Sequence, residues 1–290
     1  MQRNRMRIGL HVRVGEGLPR AAEEARLLGA ECIQIFATNP TAWTVSRLRE
    51  DEVAEFRTHL DQHDIRLSAI HTPYLLNLAS PNRTFYTKTE VQLRENIARA
   101  AVFGADFVVT HIGSHRGEGF AAGLARITAM LDRVLAEAPP GPMLLLEGSS
   151  GAGDLIGNTF EELRAILDSV PDHADRIGIC LDSAHMYAAG FDLGTKVGAR
   201  RVFKQFDEIV GLDRLRLIHA NDTRQELGSR RDRHWDIGEG HIGERGFLGM
   251  MSVPQLARLD WIMEPPGEEF DRDLRNLKAL KAIRARAGLG

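Results

Sequence analysis

Eight short apolar runs recur roughly every 25 to 45 residues along the chain, at 7–10, 32–36, 67–70, 107–110, 143–146, 177–181, 215–218 and 261–263. Runs this short, flanked by polar or turn residues, have the make-up of strands buried on both faces, as in a parallel sheet. Helical patterns fill the gaps. Val53, Phe56 and Leu60 fall on one helix face, as do Leu124, Ile127, Leu131 and Leu135, and as do Phe270, Leu274 and Leu277. The string TFEE at 159–162 has the form of a capping box that opens a helix, and TEVQ at 89–92 that of a second. A strand followed by a helix, eight times over, predicts an α/β fold, the (β/α)8 TIM barrel. The competing doubly wound sheet usually carries a glycine-rich loop after its first strand, and GLHVRVG at 9–15 is not G-x-G-x-x-G. Nothing resembles a linker or a low-complexity segment, so one domain is expected over residues 1–290.

Composition excludes several classes. With 43% hydrophobic and 27% charged residues, the chain has the make-up of a soluble globular protein. Its 28 Gly and 11 Pro show no fixed period, which excludes a collagen-like chain. No apolar stretch approaches the ~20 residues that a membrane span needs. The basic start, residues 1–7, is followed by an apolar run that stops at His11 and Arg13, too short for a secretory signal. Two cysteines, Cys32 and Cys180, cannot make a disulfide framework, which points to an intracellular, cytoplasmic protein. Cys180 is expected in the core.

In such a barrel, catalytic groups come from the C-terminal ends of the strands. The residue that follows each of the last six runs is His71, His111, Glu147, Asp182, His219 or Glu264. Each is a type that binds metals. Taken singly, a histidine there is more often a hydrogen-bonded core residue, and a carboxylate more often a helix cap. Six in succession are a joint pattern, and imidazoles and carboxylates that converge on one mouth form either a metal site or an unpaired-charge problem. Two further stretches extend the set. His185 lies three residues after Asp182, where the chain turns into a helix. Asp232 and His234 are two apart, so in an extended loop they point the same way. Nine candidate ligands are too many for one tetrahedral zinc and suit three ions with a bridging carboxylate. Nitrogen and oxygen donors without thiolate favour Zn²⁺, with Mn²⁺ or Fe²⁺ as alternatives.

The formal net charge of −3 by itself argues mildly against a nucleic-acid binder. Of the 37 basic residues 32 are arginine, a type suited to bidentate phosphate contacts, although genome base composition is the simpler explanation. Three divalent ions would turn −3 into +3 and leave the pocket attractive to a phosphodiester, which clustered metals are well placed to cleave.

The chain carries HTPYLLNLA at 71–79, THIGSH at 110–115, LEGSSG at 146–151, CLDSAHMYAAG at 180–190, HANDT at 219–223, MEPP at 263–266 and, most specific of all, LGSRRDRHWDIGEGHIG at 227–243. These motifs resemble those of the endonuclease IV family of apurinic/apyrimidinic endonucleases, and the resemblance runs over residues 7–267. It implies hydrolysis of the phosphodiester 5′ to an abasic site in double-stranded DNA, leaving a 3′-hydroxyl and a 5′-deoxyribose phosphate, by a monomer. It also implies three zinc sites: His71, His111 and Glu147; Glu147, Asp182, His219 and Glu264, with Glu147 bridging; and His185, Asp232 and His234. The attacking hydroxide would lie between the first two ions, with Glu264 orienting it. Tyr74 and Leu75 match residues that the family inserts into DNA, and such side chains on an exposed loop can fill an unstacked duplex. Arg233, between two ligands, is expected to face a phosphate.

Some residues depart from the family pattern. Thr41 stands where an arginine that enters the duplex is usual, Ala152 where a glutamine is common, and Ile112 in place of a proline. Ser183 and Ala184 replace threonine and cysteine. None of them is a candidate ligand. The main alternative is a metal-dependent sugar isomerase or epimerase of the xylose-isomerase-like barrels, which would use Glu147, Asp182, His219 and Glu264 and leave the other five ligands without a role. A DNA-lesion binder without catalysis is a third reading, against which a full ligand set argues.

Overall fold

The computed structural model describes residues 5–267 and 269–289, so Met1–Asn4 of the basic start lie outside it. Among the described residues, eight parallel strands close a barrel. They are β1 (Arg7–His11), β2 (Cys32–Phe36), β3 (Arg66–His71), β4 (Phe107–His111), β5 (Met143–Glu147), β6 (Ile177–Asp182), β7 (Leu215–His219) and β10 (Asp260–Met263), and β10 pairs with both β7 and β1. Two residues each of β8 (Asp222–Thr223) and β9 (His234–Trp235) form a small antiparallel ribbon above the barrel. Helices α1 (Leu18–Leu28), α2 (Glu50–Gln62), α3 (Arg83–Phe103), α4 (Phe120–Glu137), α5 (Phe160–Asp168), α6 (Ser183–Ala189), α7 (Lys196–Ile209), α8 (Gly243–Met251) and α9 (Phe270–Arg286) fill the connections.

The core has two layers. Side chains that point outward from the strands meet the helices in one large cluster, to which Val53, Phe56 and Leu60 of α2 contribute. Side chains that point inward form a smaller one: Cys32, Ala69, Phe107, Val109, Leu145, Cys180, Leu217 and Ile262. Strand residues alternate between faces with period two. The residues two further on from Ala69, Val109, Leu145, Cys180, Leu217 and Ile262 are His71, His111, Glu147, Asp182, His219 and Glu264, so all six point into the mouth. The same count from Cys32 reaches Gln34, and on β1 the residue two after Gly9 is His11. Gly9 itself is set by close packing, because a Cβ there would lie 1.6 Å from the Cys32 carbonyl oxygen.

Two local expectations need correction. TEVQ at 89–92 opens no helix; it lies inside α3, which begins at Arg83 because the Asn82 side chain accepts a hydrogen bond from the Phe85 amide. Thr89 instead accepts from the Asn77 amide, which holds down the loop after β3. Phe270 is not on the buried face of α9: it is 40% exposed, and Asp273, Asn276, Leu277, Leu280 and Ile283 form that face. The box at 159–162 does cap α5, with the Thr159 hydroxyl accepting from the Glu162 amide. Glu162 itself reaches back to the amides of Gly157 and Asn158.

Candidate metal centre

Six of the nine candidate ligands stand at the C-terminal ends of the barrel strands, five as the last residue of theirs and Glu264 one residue past β10. His185 is carried by α6, whose N-terminus is capped by Asp182: the carboxylate accepts the His185 amide at 2.9 Å. One aspartate thus ends a strand, caps a helix and sets the direction of the following histidine. Asp232 lies on the connection between β8 and β9, and His234 is the first residue of β9. The Asp222 carboxylate, fully buried, fixes that excursion by accepting amides from Thr223, Gly238, Gly240, Ile242 and Gly243. Gly240 is required here, since a Cβ would sit 2.3 Å from an Asp222 oxygen.

The nine converge. Donor atoms of His71, His111 and Glu147 lie within 4.8 Å of one another, as do those of Glu147, Asp182, His219 and Glu264, and those of Asp182, His185 and His234. Asp232 joins the last group, its oxygens 3.1 Å from His185 Nε2 and 3.3 Å from His234 Nε2. Glu147 faces four imidazoles: His71 Nε2 at 3.1 Å, His111 Nδ1 at 3.3 Å, His185 Nδ1 at 3.5 Å and His219 Nδ1 at 3.1 Å.

The second nitrogen of each ring decides what the first can do. His71 Nδ1 is 2.7 Å from the Thr72 carbonyl oxygen, His185 Nδ1 2.9 Å from that of Gly148, and His234 Nδ1 2.9 Å from that of Glu264. His219 Nε2 is 3.0 Å from the Gln34 side-chain oxygen. A carbonyl oxygen only accepts, so each of these nitrogens carries the proton. In a neutral ring the other nitrogen, the one aimed at the carboxylates, then presents a lone pair. Rings held in this way by outer partners are the usual support of metal-binding histidines. His234 Nε2, the nitrogen so aimed, is buried without a hydrogen-bond partner. The residues therefore fit divalent ions.

The electrostatics agree. Burial pushes the Glu147 carboxyl up, but the surrounding imidazoles, His111 and His219 foremost, hold it well below the usual carboxylate range. Burial opposes charge on His185 and His219 as well, yet Asp182 and Asp232 about the first, and the carboxylates of Glu264 and Glu147 about the second, raise both well above the ordinary histidine value. His234 is raised to about 9, where Asp182 and Asp232 outweigh burial. His111, with His71 and His185 as neighbours, is lowered, chiefly by burial.

Around these groups opens a cavity of about 850 Å³ that Tyr74, Arg233, Asn39 and Pro40 help to line. Tyr74 is 60% and Leu75 36% exposed, so neither is buried in the barrel top. The Tyr74 ring meets Phe36 edge-on at 5.2 Å. The Arg233 side chain is exposed on the cavity wall, while its carbonyl accepts the Thr223 hydroxyl. Thr41 is exposed on the β2–α2 connection and bonded to Asn39. Cys180 is fully buried in the inner layer, as expected.

Three polar residues of the site were not anticipated: His11, Gln34 and Asn221. Gln34 and His11 carry the inward parity of β2 and β1. Asn221 lies two residues past His219, inside a motif whose charged members drew the attention. Among the described residues, no helix is long and apolar enough to cross a membrane.

The family profile of xylose isomerase-like TIM barrels matches residues 22–286. The chain is 38% identical over 275 residues to a protein named probable endonuclease 4 of Halothermothrix orenii, covering 94% of this chain and 99% of that one. It is 37% identical to one of the same name from Methanosphaerula palustris, covering 96% and 98%. Among solved structures, that of endonuclease IV from Thermus thermophilus superposes with a TM-score of 0.84 at 32% identity, covering 97% and 99%. A D-tagatose 3-epimerase-like protein has the same fold, with a TM-score of 0.77 at 20% identity.

Proposed function

Because the chain belongs to the endonuclease IV family of the xylose isomerase-like TIM barrels, we propose that it is a metal-dependent DNA-repair endonuclease that hydrolyses the phosphodiester 5′ to abasic sites in duplex DNA. The products are a 3′-hydroxyl and a 5′-deoxyribose phosphate. The observation that carries this reading is the ring of four histidines whose outer nitrogens are tied to carbonyl oxygens while their inner nitrogens face shared carboxylates.

His71, His111 and Glu147 would hold one ion, Glu147, Asp182, His219 and Glu264 a second, and His185, Asp232 and His234 a third. Donors of nitrogen and oxygen alone favour zinc. When bound, the ions supply the Lewis acidity and positive charge that phosphodiester hydrolysis needs. The side chains do the rest. Glu147 ties two of the sites together. Glu264, at the cavity wall, orients the attacking water. Arg233 offers a fork of donors to a backbone phosphate. Tyr74 and Leu75, exposed beside the mouth, fill the space left in an unstacked duplex. The protein acts as a cytoplasmic monomer.

The isomerase or epimerase reading uses only Glu147, Asp182, His219 and Glu264. It leaves His185, Asp232 and His234 mutually oriented for nothing. Elemental analysis after gentle purification separates the two. About three ions per chain, mainly zinc, support the nuclease, and one or two favour the sugar enzyme.

A further inference from the structure

Glu264 is gripped from both sides. Gln34 Nε2 donates to Oε1 at 2.9 Å, and Asn221 Nδ2 donates to Oε2 at 3.2 Å. A carboxylate oxygen only accepts, so both carboxamides have a fixed orientation. Each then reaches a second member of the same group of donors. With its nitrogen on Glu264, Gln34 turns its oxygen to His219 Nε2 at 3.0 Å. That bond places the His219 proton on Nε2 and frees Nδ1 toward Glu147 and Glu264. Asn221 Nδ2 also donates to Asp182 at 2.6 Å, and its oxygen accepts the Glu264 amide at 2.7 Å. The Asn221 amide is in turn accepted by the Ser183 hydroxyl at 2.9 Å. Gln34 is 0% and Asn221 2% exposed, so neither serves solvent.

We propose that Gln34 and Asn221 are a pair of positioning residues that hold Glu264, His219 and Asp182 in register and so set the affinity for the ion those three share with Glu147. The proposal rests on the reading of these four as one ion's ligands. Neutral carboxamides suit the task. A lysine or arginine in either place would orient the carboxylates as well, but it would also neutralise the charge that attracts the cation. An amide N–H fixes one lone pair of each oxygen and leaves the others for the ion.

The test is competition for zinc between the loaded protein and a chromogenic chelator, for wild type, Gln34→Met, Asn221→Leu and the double variant. The metal-free proteins are melted in parallel. Each single variant is expected to surrender one equivalent at about 10–100-fold lower chelator strength than wild type, the size of effect typical of outer-sphere partners. The double variant is expected to surrender that same single equivalent, because both residues act on one ion. Gln34→Met, metal-free, should melt within a few degrees of wild type, so that lost retention is not lost fold. Retention of every ion as tightly as wild type overturns the proposal. So does a double variant that sheds two ions, or a loss of metal-free stability in Gln34→Met that matches its loss of zinc. If wild type holds a single ion, the three-ion reading fails, whereas the clamp is still read on that ion, since Glu147, Asp182, His219 and Glu264 are the ligands it would keep.

Discussion

Glu147 and His219 meet across the barrel mouth, Oε1 to Nδ1 at 3.1 Å, with both side chains withdrawn from solvent. The other oxygen of Glu147 faces His71 Nε2 at 3.1 Å. One carboxylate thus spans the space between two of the three donor groups. Glu147→Gln keeps the shape, but one of the two oxygens becomes an amide nitrogen that cannot bind a cation. Cleavage is expected to fall by several orders of magnitude, and metal analysis should show two sites disturbed. Half the wild-type rate in this variant would mean that Glu147 bridges nothing.

The histidines set how metal loading responds to pH. Without an ion between them, His185 and His219 stay protonated well above the usual histidine range, and His234 up to about 9. An ion must displace those protons, so zinc uptake near neutral pH is expected to release protons and to weaken as pH falls. Calorimetry in buffers of different ionisation enthalpy counts them. The same shift acts on the metal-free fold. A folded-state pKa raised from 6.5 to about 9 at His234 gives stability that is complete below 6.5 and lost as pH climbs through 9. The metal-free melting temperature should therefore decline over that window, and the zinc-loaded one should not.

Asp273 on α9 acts in the same sense, over a lower pH window. It is 3% exposed, and burial raises its carboxyl to about 6 despite Arg13 nearby. A raised acid binds more protons folded than unfolded, so its contribution to stability falls as pH rises from 3.8 through 6. Asp273→Asn removes that cost. Its melting temperature should exceed that of wild type by about 2–4 °C at pH 8 and match it near pH 4. A variant destabilised at pH 8 would show that the ionised carboxylate is needed.

The exposed loop after β3 and the neighbouring Thr41 bear on DNA. Tyr74→Ala should weaken binding to abasic duplex about tenfold, the size of one lost stacking contact, with a smaller effect on turnover at saturation. Thr41→Arg should tighten binding, and it should steepen the salt dependence by about 0.9 in log–log slope if the guanidinium meets a phosphate. Flipping an intact nucleotide costs more than flipping an abasic one, so activity on damaged bases should gain most from the arginine. Titrations at two salt concentrations measure both. If Thr41→Arg changed nothing and Tyr74→Ala were silent, these side chains would not act as wedges.

Six of the candidate ligands were legible because a parallel strand ends where its apolar run ends, and their charged or imidazole groups break that run. Gln34 escaped for the same reason. It sits inside the run at 32–36, two residues before the end of β2, where a neutral side chain does not interrupt the apolar pattern. Its role becomes visible only by counting inward parity from Cys32. Asp222 was read as part of a motif, but the five amides that it gathers come from a loop whose path no local pattern dictates. The pattern at 89–92 misled because it fits the interior of a long helix as well as a start, and Asn82 supplies the stronger cap. At Phe270 the apolar period was real, but the face of α9 that packs on the barrel carries Asp273 and Asn276 as well as leucines. Asn276 accepts the Ile237 amide at 2.6 Å and so braces the loop beyond β9.

The most direct test of the account is to incubate protein of known metal content with an end-labelled duplex carrying one abasic site, with and without prior chelation. The account predicts that a chain holding about three ions incises on the 5′ side, leaving a 3′-hydroxyl that a polymerase extends, and that chelation abolishes the cut while the fold persists. An intact duplex after treatment with the three-ion protein, or a cut on the 3′ side that survives chelation, would contradict it.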